Sequence, residues 1–250
     1  MSDTMYIFAH IPKTGGTTIR KHFENNLSPY EFVHLAKASD QRIERRNQKE
    51  LAKEMTDAPD LITPFAKRTK EERQQVRVVL GHQVNAETYK LFPNKTCKSI
   101  VFLREPVSWM VSSYNWKMNV RRQEEKDILD FDEWYRNVKK RRSQLVWLVK
   151  KYGGFKQFHH MSAERKLKTA NDLLSKFDVV SLTERINTDC PIIFKKIGVP
   201  EEFESANVAG QRHAKILSPN DELREKLAKP LELDIKLYET WKAKMPVFNL

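Results

Sequence analysis

The stretch that most constrains this chain lies near its start. A short apolar run, Tyr6-Ile7-Phe8-Ala9, leads into His10-Ile11-Pro12-Lys13-Thr14-Gly15-Gly16-Thr17-Thr18 and then Ile19-Arg20-Lys21-His22-Phe23. That order reads as strand, tight glycine turn and helix N-terminus. Amides at the start of a helix lack intrahelical partners, and the helix dipole adds partial positive charge there, so the turn suits an anion. Gly15 and Gly16 carry no Cβ, which lets a phosphate-like group approach the backbone. Thr17 and Thr18 add hydroxyl donors, and Lys13 adds a full charge.

The turn departs from the G-x-x-x-x-G-K-[ST] nucleotide loop, because its lysine precedes the glycines rather than following them. The string Pro12-Lys13-Thr14-Gly15-Gly16-Thr17-Thr18 resembles the 5′-phosphosulfate loop of sulfotransferases that use 3′-phosphoadenosine 5′-phosphosulfate (PAPS). The prefix His10-Ile11-Pro12 is similar to the form found in the glycan O-sulfotransferase branch, which includes the heparan sulfate 2-O- and 6-O-enzymes. The resemblance implies PAPS as sulfuryl donor, bound by Lys13, Thr14, Gly15, Gly16, Thr17 and Thr18. Two adjacent glycines alone would mark no more than a connecting turn.

A chain of 250 residues is long enough for one sizeable domain, read here as a single domain over 1–250. Apolar content of 40% and charged content of 31% fit a folded enzyme with a strongly charged surface. The formal net charge of +12 favours anionic partners without choosing among nucleic acid, acidic glycan, membrane or polyphosphorylated cofactor. Cys97 and Cys190 are too few for a disulfide framework; two reduced thiols are favoured, and a single bridge stays open. No stretch is long and apolar enough to span a membrane. The glycan sulfotransferases of animals carry an N-terminal anchor, which leaves a cytoplasmic enzyme or a trimmed chain; the first strand's early start favours the cytoplasm.

Further along, Glu31–Leu35, Arg77–Leu80, Ser99–Leu103 and Val179–Leu182 read as strands. Helices are expected over 43–55, from Pro106 onward, and over 131–138, 143–151, 163–177 and 186–197, the last tolerating Pro191. In the Pro106 helix, Val107, Met110, Val111, Tyr114 and Met118 form the buried stripe. The C-terminal stretch reads as a packing helix broken at Pro230. Strands alternating with helices predict an α/β fold: a P-loop-like central parallel sheet with helices on both faces. Ligands in such folds bind at the carboxyl ends of the strands, where His10–Thr18, Gly81-His82 and Arg104 all fall.

Arg104-Glu105-Pro106-Val107-Ser108-Trp109-Met110-Val111-Ser112 resembles the sulfotransferase 3′-phosphate site, R-D-P-x-x-R-x-x-S. Arg104 matches its first arginine and Ser112 its serine; Glu105 replaces the aspartate, and Trp109 replaces the second arginine. A guanidinium fork and a hydroxyl suit a phosphate. Leu80-Gly81-His82-Gln83-Val84 is similar to the surroundings of the catalytic histidine in the 2-O-sulfotransferases, and neutral imidazole suits general-base work. Gln211-Arg212-His213-Ala214-Lys215 resembles the family's basic loop over the nucleotide, with Arg212 as its binding residue.

Together these readings give a sulfotransferase moving a sulfuryl group from PAPS to an acceptor hydroxyl on a carbohydrate. The catalytic residues are His82 and Lys13, and the protein supplies the charges without a metal. Three alternatives are a sulfotransferase of a small hydroxylated metabolite, a P-loop-like kinase needing Mg²⁺ and a carboxylate to hold it, and a nucleic-acid-binding protein using Lys139–Arg142 with Trp134 and Trp147. Lysine order argues against the kinase, and the absence of a recognition motif argues against nucleic acid. Nothing in the sequence sets the oligomeric state.

Overall fold

The computed structural model describes residues 3–35, 68–138, 143–204, 215–245 and 247–250. The helix expected over 43–55, the basic run Lys139–Arg142 and the loop residue Arg212 lie outside the described residues. Six strands form one sheet in the order β2-β3-β1-β4-β5-β6. Five are parallel: β1 (Thr4–Ala9), β2 (Phe32–His34), β3 (Val78–Gly81), β4 (Thr96–Leu103) and β5 (Val179–Leu182). The α/β class and parallel sheet read from the sequence are therefore present.

Side chains alternate between the two faces of the sheet, as the two-residue strand period requires. Phe8, Val78, Leu80, Ile100, Phe102 and Val179 pack with Ile19 and Phe23 of α1 (Gly16–Asn26) and Ile193 and Phe194 further along the chain. Met5, Ile7, Ala9, Val79, Val101, Leu103, Val180 and Leu182 face the opposite core with Leu145, Leu148, Leu174 and Trp241. Both faces are covered, which is why these strands read as continuous apolar runs.

After α2 (Lys70–Gln75), β3 and β4, the chain enters α3 (Pro106–Gln123), then α4 (Phe131–Val138). The expected stripe of Val107, Met110, Val111, Tyr114 and Met118 is buried. A short helix, α5 (Gln144–Val146), widens into a π turn over Trp147–Tyr152, whose Gly153 N–H reaches back to the Leu148 carbonyl. Helices α6 (Ala163–Leu174) and α7 (Ile186–Ile197) flank β5, and α7 accommodates Pro191. The expected break near Pro230 separates α8 (Asp221–Ala228) from α9 (Glu232–Lys242). Both cysteines are free thiols, with Cys190 in the core.

The sequence reading missed β6 (Val247–Phe248), which pairs antiparallel with β5. A two-residue strand has no periodicity to detect. It is fixed instead by tertiary bonds: Asn249 N–H donates to Asp178 O at 2.8 Å, and Lys98 Nζ contacts both Asp178 Oδ1 at 3.0 Å and Asn249 O at 2.8 Å. Among the described residues, no helix is long and apolar enough to cross a membrane.

Candidate active site

β1 lies between β3 and β4, so chain connections leave it in opposite directions and open a crevice at its carboxyl end. The turn His10–Gly15 occupies that position. Its carbonyls are almost all engaged by the protein. Ile11 O accepts from the buried Thr14 hydroxyl at 2.8 Å, Pro12 O from Trp109 Nε1 at 2.6 Å, and Lys13 O from Arg104 Nη1 at 3.0 Å. Gly15 O accepts from the Thr18 and Ile19 amides at 3.0 and 3.4 Å. No side chain caps the N-terminus of α1, and its first turn holds no acidic residue. With acceptors satisfied and the first-turn amides uncapped, the turn presents donors and positive potential.

Lys13 and Gly15 both have positive φ, at 69° and 85°. Glycine takes this conformation freely, whereas for a lysine it costs about 1–2 kcal/mol. The Arg104 bond to the Lys13 carbonyl holds that conformation. Burial, followed by the charge of nearby Arg104, pushes the Lys13 amine down to about 8. Its Nζ lies 5.8 Å from the ring centroid of Trp116, an exposed aromatic on α3. Two cations beside an uncapped helix N-terminus form a site that an anion would relieve electrostatically.

A model described as the Sulfotransferase family matches residues 3–248. The chain belongs to the sulfotransferase family. Sulfuryl transfer is therefore its chemistry. No curated protein matches the chain.

In this sulfotransferase the two glycines have a role that the sequence reading did not anticipate. A Cβ on Gly16 would fall 2.0 Å from His10 Nε2, and one on Gly15 would fall 2.6 Å from Ile186 Cδ1. The space freed by each missing side chain is filled by protein. At Gly16 a side chain would overlap the His10 ring, and at Gly15 the positive φ is the main requirement for glycine, the Ile186 methyl being the end of a side chain that can shift. The threonines also differ from one another. Thr14 spends its hydroxyl on Ile11, Thr18 is buried, and Thr17 is half-exposed.

His82, just beyond β3, is joined directly to the turn. Its Nδ1 lies 2.8 Å from His10 O, and the two imidazoles stack at 4.1 Å with 26° between their planes. A carbonyl can only accept, so Nδ1 carries the proton and the neutral ring has its lone pair on Nε2. His10 is held neutral: burial first, and then the proximity of His82, His34, Arg20 and Lys13, keep its ring well below the usual imidazole range. Its Nδ1 is buried without a hydrogen-bond partner.

Arg104 and Trp109 also contact the turn directly. Glu105, the substitute for aspartate, caps α3 by accepting from the amides of Val107 at 3.0 Å and Ser108 at 2.8 Å, and from Ser108 Oγ at 2.6 Å. Burial alone would raise its carboxyl, but those bonds outweigh burial and lower it. Trp109 stands where the motif has its second arginine, and its indole N–H ties α3 to the turn. The sequence showed the missing charge; the carbonyl partner, distant in sequence, could not be read from it. Ser112 lies half-buried on α3, and among the described residues no hydrogen bond joins it to Arg104. The structure thus links Lys13, His10, His82, Trp109 and Arg104 by direct contacts with the turn, while Ser112 lies about two turns along α3 from Arg104.

Proposed function

We propose that the protein transfers a sulfuryl group from PAPS to a carbohydrate hydroxyl. The observation that carries this reading is the contact of Arg104 with the Lys13 carbonyl beside an uncapped α1, which supports a donor with two anionic groups, one held at the turn and one by Arg104. The carbohydrate acceptor rests on the similarity of His10-Ile11-Pro12 to the glycan O-sulfotransferase branch.

PAPS supplies an activated sulfuryl group on a phosphate leaving group. Lys13 and the amides of Gly15, Gly16 and Thr17 hold and neutralise the phosphosulfate end, with the Thr17 hydroxyl as a further donor, while the Thr18 amide is already engaged by Gly15 O. Arg104 and Ser112 bind the 3′-phosphate, which distinguishes the donor from plain adenine nucleotides. Arg212 is the proposed further contact to the nucleotide. His82 accepts the proton of the acceptor hydroxyl on Nε2, while the His10 carbonyl holds the opposite side of the ring. Preorganised donors aimed at developing charge contribute most in such a transfer.

Calorimetry without added metal tests the donor assignment. Adenosine 3′,5′-bisphosphate should bind more tightly than AMP, and Arg104→Ala should abolish the difference, a loss of about 1.5–3 kcal/mol for a charge-assisted bond. Equal affinities in the unaltered protein would overturn the 3′-phosphate assignment. Sulfate transfer from labelled PAPS to glycans and to small hydroxylated metabolites then distinguishes the two acceptor classes.

A further inference from the structure

Arg104 emerges from β4 where the sheet no longer supports it. The last β4–β5 pair is Leu103 with Leu182, and β1 has already ended at Ala9, opposite Val101. Side chains replace the missing strand neighbours. Leu103 O accepts from Thr183 Oγ1 at 3.0 Å, and Glu105 N–H donates to Glu184 Oε1 at 3.0 Å. Between them, Gln144 engages both backbone groups of Arg104. Its Oε1 accepts the Arg104 N–H at 2.8 Å, and its Nε2 donates to the Arg104 carbonyl at 2.7 Å.

A primary amide has the same donor and acceptor pair as a peptide group, so Gln144 acts as a one-residue strand partner. It is itself fixed in place. Its side chain is buried, Ser143 Oγ caps the Val146 amide at 3.0 Å, and Asp234 Oδ1 accepts the Leu145 N–H at 3.0 Å. Nothing in the α5 sequence pattern marks this residue as part of the site, and among the described residues both hydrogen bonds of its side chain go to the Arg104 backbone. Its influence passes through the Arg104 backbone, from which the guanidinium reaches the Lys13 carbonyl.

We propose that Gln144 is a positioning residue for donor recognition: its amide clamps the Arg104 backbone so that the guanidinium meets the donor's 3′-phosphate. The proposal rests on the reading of Arg104 as the 3′-phosphate ligand. It makes specific demands on residue 144. A carboxylate of the same shape would set an oxygen against the Arg104 carbonyl, and a hydrocarbon would leave both backbone groups unpaired.

The test compares Gln144→Glu and Gln144→Met with the unaltered protein, measuring affinities for adenosine 3′,5′-bisphosphate and AMP alongside thermal stability. The ratio of the two affinities should fall by about tenfold in each variant while AMP affinity holds, the size expected for weakening one charge-assisted bond. The KM for PAPS should rise more than kcat falls. In an Arg104→Ala background, the same substitutions at Gln144 should leave the ratio unmoved. Folded variants that keep the original ratio, whatever their loss of stability, would overturn the clamp. If Arg104→Ala alone leaves the ratio intact, the 3′-phosphate reading fails and takes the clamp with it; an effect of Arg104→Ala without one at Gln144 rejects the clamp alone.

Discussion

The ring of His82 stacks on the ring of His10 at 4.1 Å, and its Nδ1 donates to the carbonyl of that same residue at 2.8 Å. One residue of the anion turn therefore sets both the plane and the tautomer of the imidazole beside it. His10 also packs directly on Gly16, where α1 begins. The proposed base and the proposed donor site thus share one residue, His10, as a common support.

His82→Ala should lower turnover by about 10²–10⁴, the usual contribution of a general base. Bisphosphate affinity should stay near its original value, and stability should fall only by about 1 kcal/mol, the worth of the lost bond to the His10 carbonyl. The rate of the unaltered enzyme should rise with pH through one ionisation, and that limb should vanish in the variant. Nitrogen NMR on labelled histidine should find the proton of neutral His82 on Nδ1. A destabilised variant whose folded fraction keeps full activity would reduce His82 to a structural role.

Lys13 predicts the opposite pH limb for donor binding. Its amine sits at about 8, chiefly through burial and then through Arg104. An anion favours the ammonium form and raises that value, so binding above pH 8 takes up a proton. Bisphosphate affinity should change little between about pH 7, above the ligand's own phosphate ionisation, and pH 8, and fall toward a limit of about tenfold per pH unit above it. Calorimetry in two buffers of different ionisation heat measures the uptake directly. Lys13→Met should bind weakly with no such slope, and turnover should drop by roughly 10²–10³. A slope that persists in Lys13→Met would assign the titration to another group.

Trp109 makes a claim about stability and binding together. Its indole N–H meets the Pro12 carbonyl at 2.6 Å, and the residue is buried. Trp109→Phe removes the donor but keeps most of the apolar surface. It should cost about 1 kcal/mol in urea denaturation, the typical worth of such a bond, and weaken bisphosphate binding by loosening the turn. Unaltered stability and affinity in the phenylalanine variant would show that the bond contributes nothing.

Much of this architecture was legible in the sequence because its signals are local. Fully buried strands such as Ile100–Leu103 show as apolar runs, and Pro106 marks the start of α3. The turn was legible because strand, glycines and helix are contiguous. Contacts between distant segments were not. Trp109 to Pro12, Gln144 to Arg104 and His10 to His82 join residues 97, 40 and 72 positions apart. Residue type suggested that His82 and Arg104 could do chemistry; for Gln144 and Trp109, only the fold gives the side chain its partner. Gly15 and Gly16 were identified by their pattern, but their close approach to Ile186 and His10 was not, since those neighbours are distant in sequence or depend on the turn's geometry.

Asp234 links pH to the same framework from behind. It lies in the first turn of α9, buried, with Oδ1 accepting the Leu145 N–H at 3.0 Å. Burial pushes its carboxyl up to about 6, against the pull of bonds from Leu145, Ser143 and Gln144. A carboxyl raised from 3.8 to about 6 binds its proton more readily in the folded protein than in the unfolded chain. The ionisation penalty, about 3 kcal/mol as an order of magnitude, is then fully present above pH 6. It is relieved as pH falls from 6 toward 4, so this group makes the fold more stable on mild acidification. Asp234→Asn keeps a carbonyl acceptor for the Leu145 amide and removes the charge. The variant should be at least as stable as the original at pH 7.5 and lose that advantage near pH 5. Urea denaturation of both proteins across this range measures the difference, and a difference independent of pH would refute the assignment. The carboxyl also holds the short helix that carries Gln144, so Asp234→Asn should preserve the bisphosphate-to-AMP affinity ratio only if its carbonyl takes over that anchoring bond.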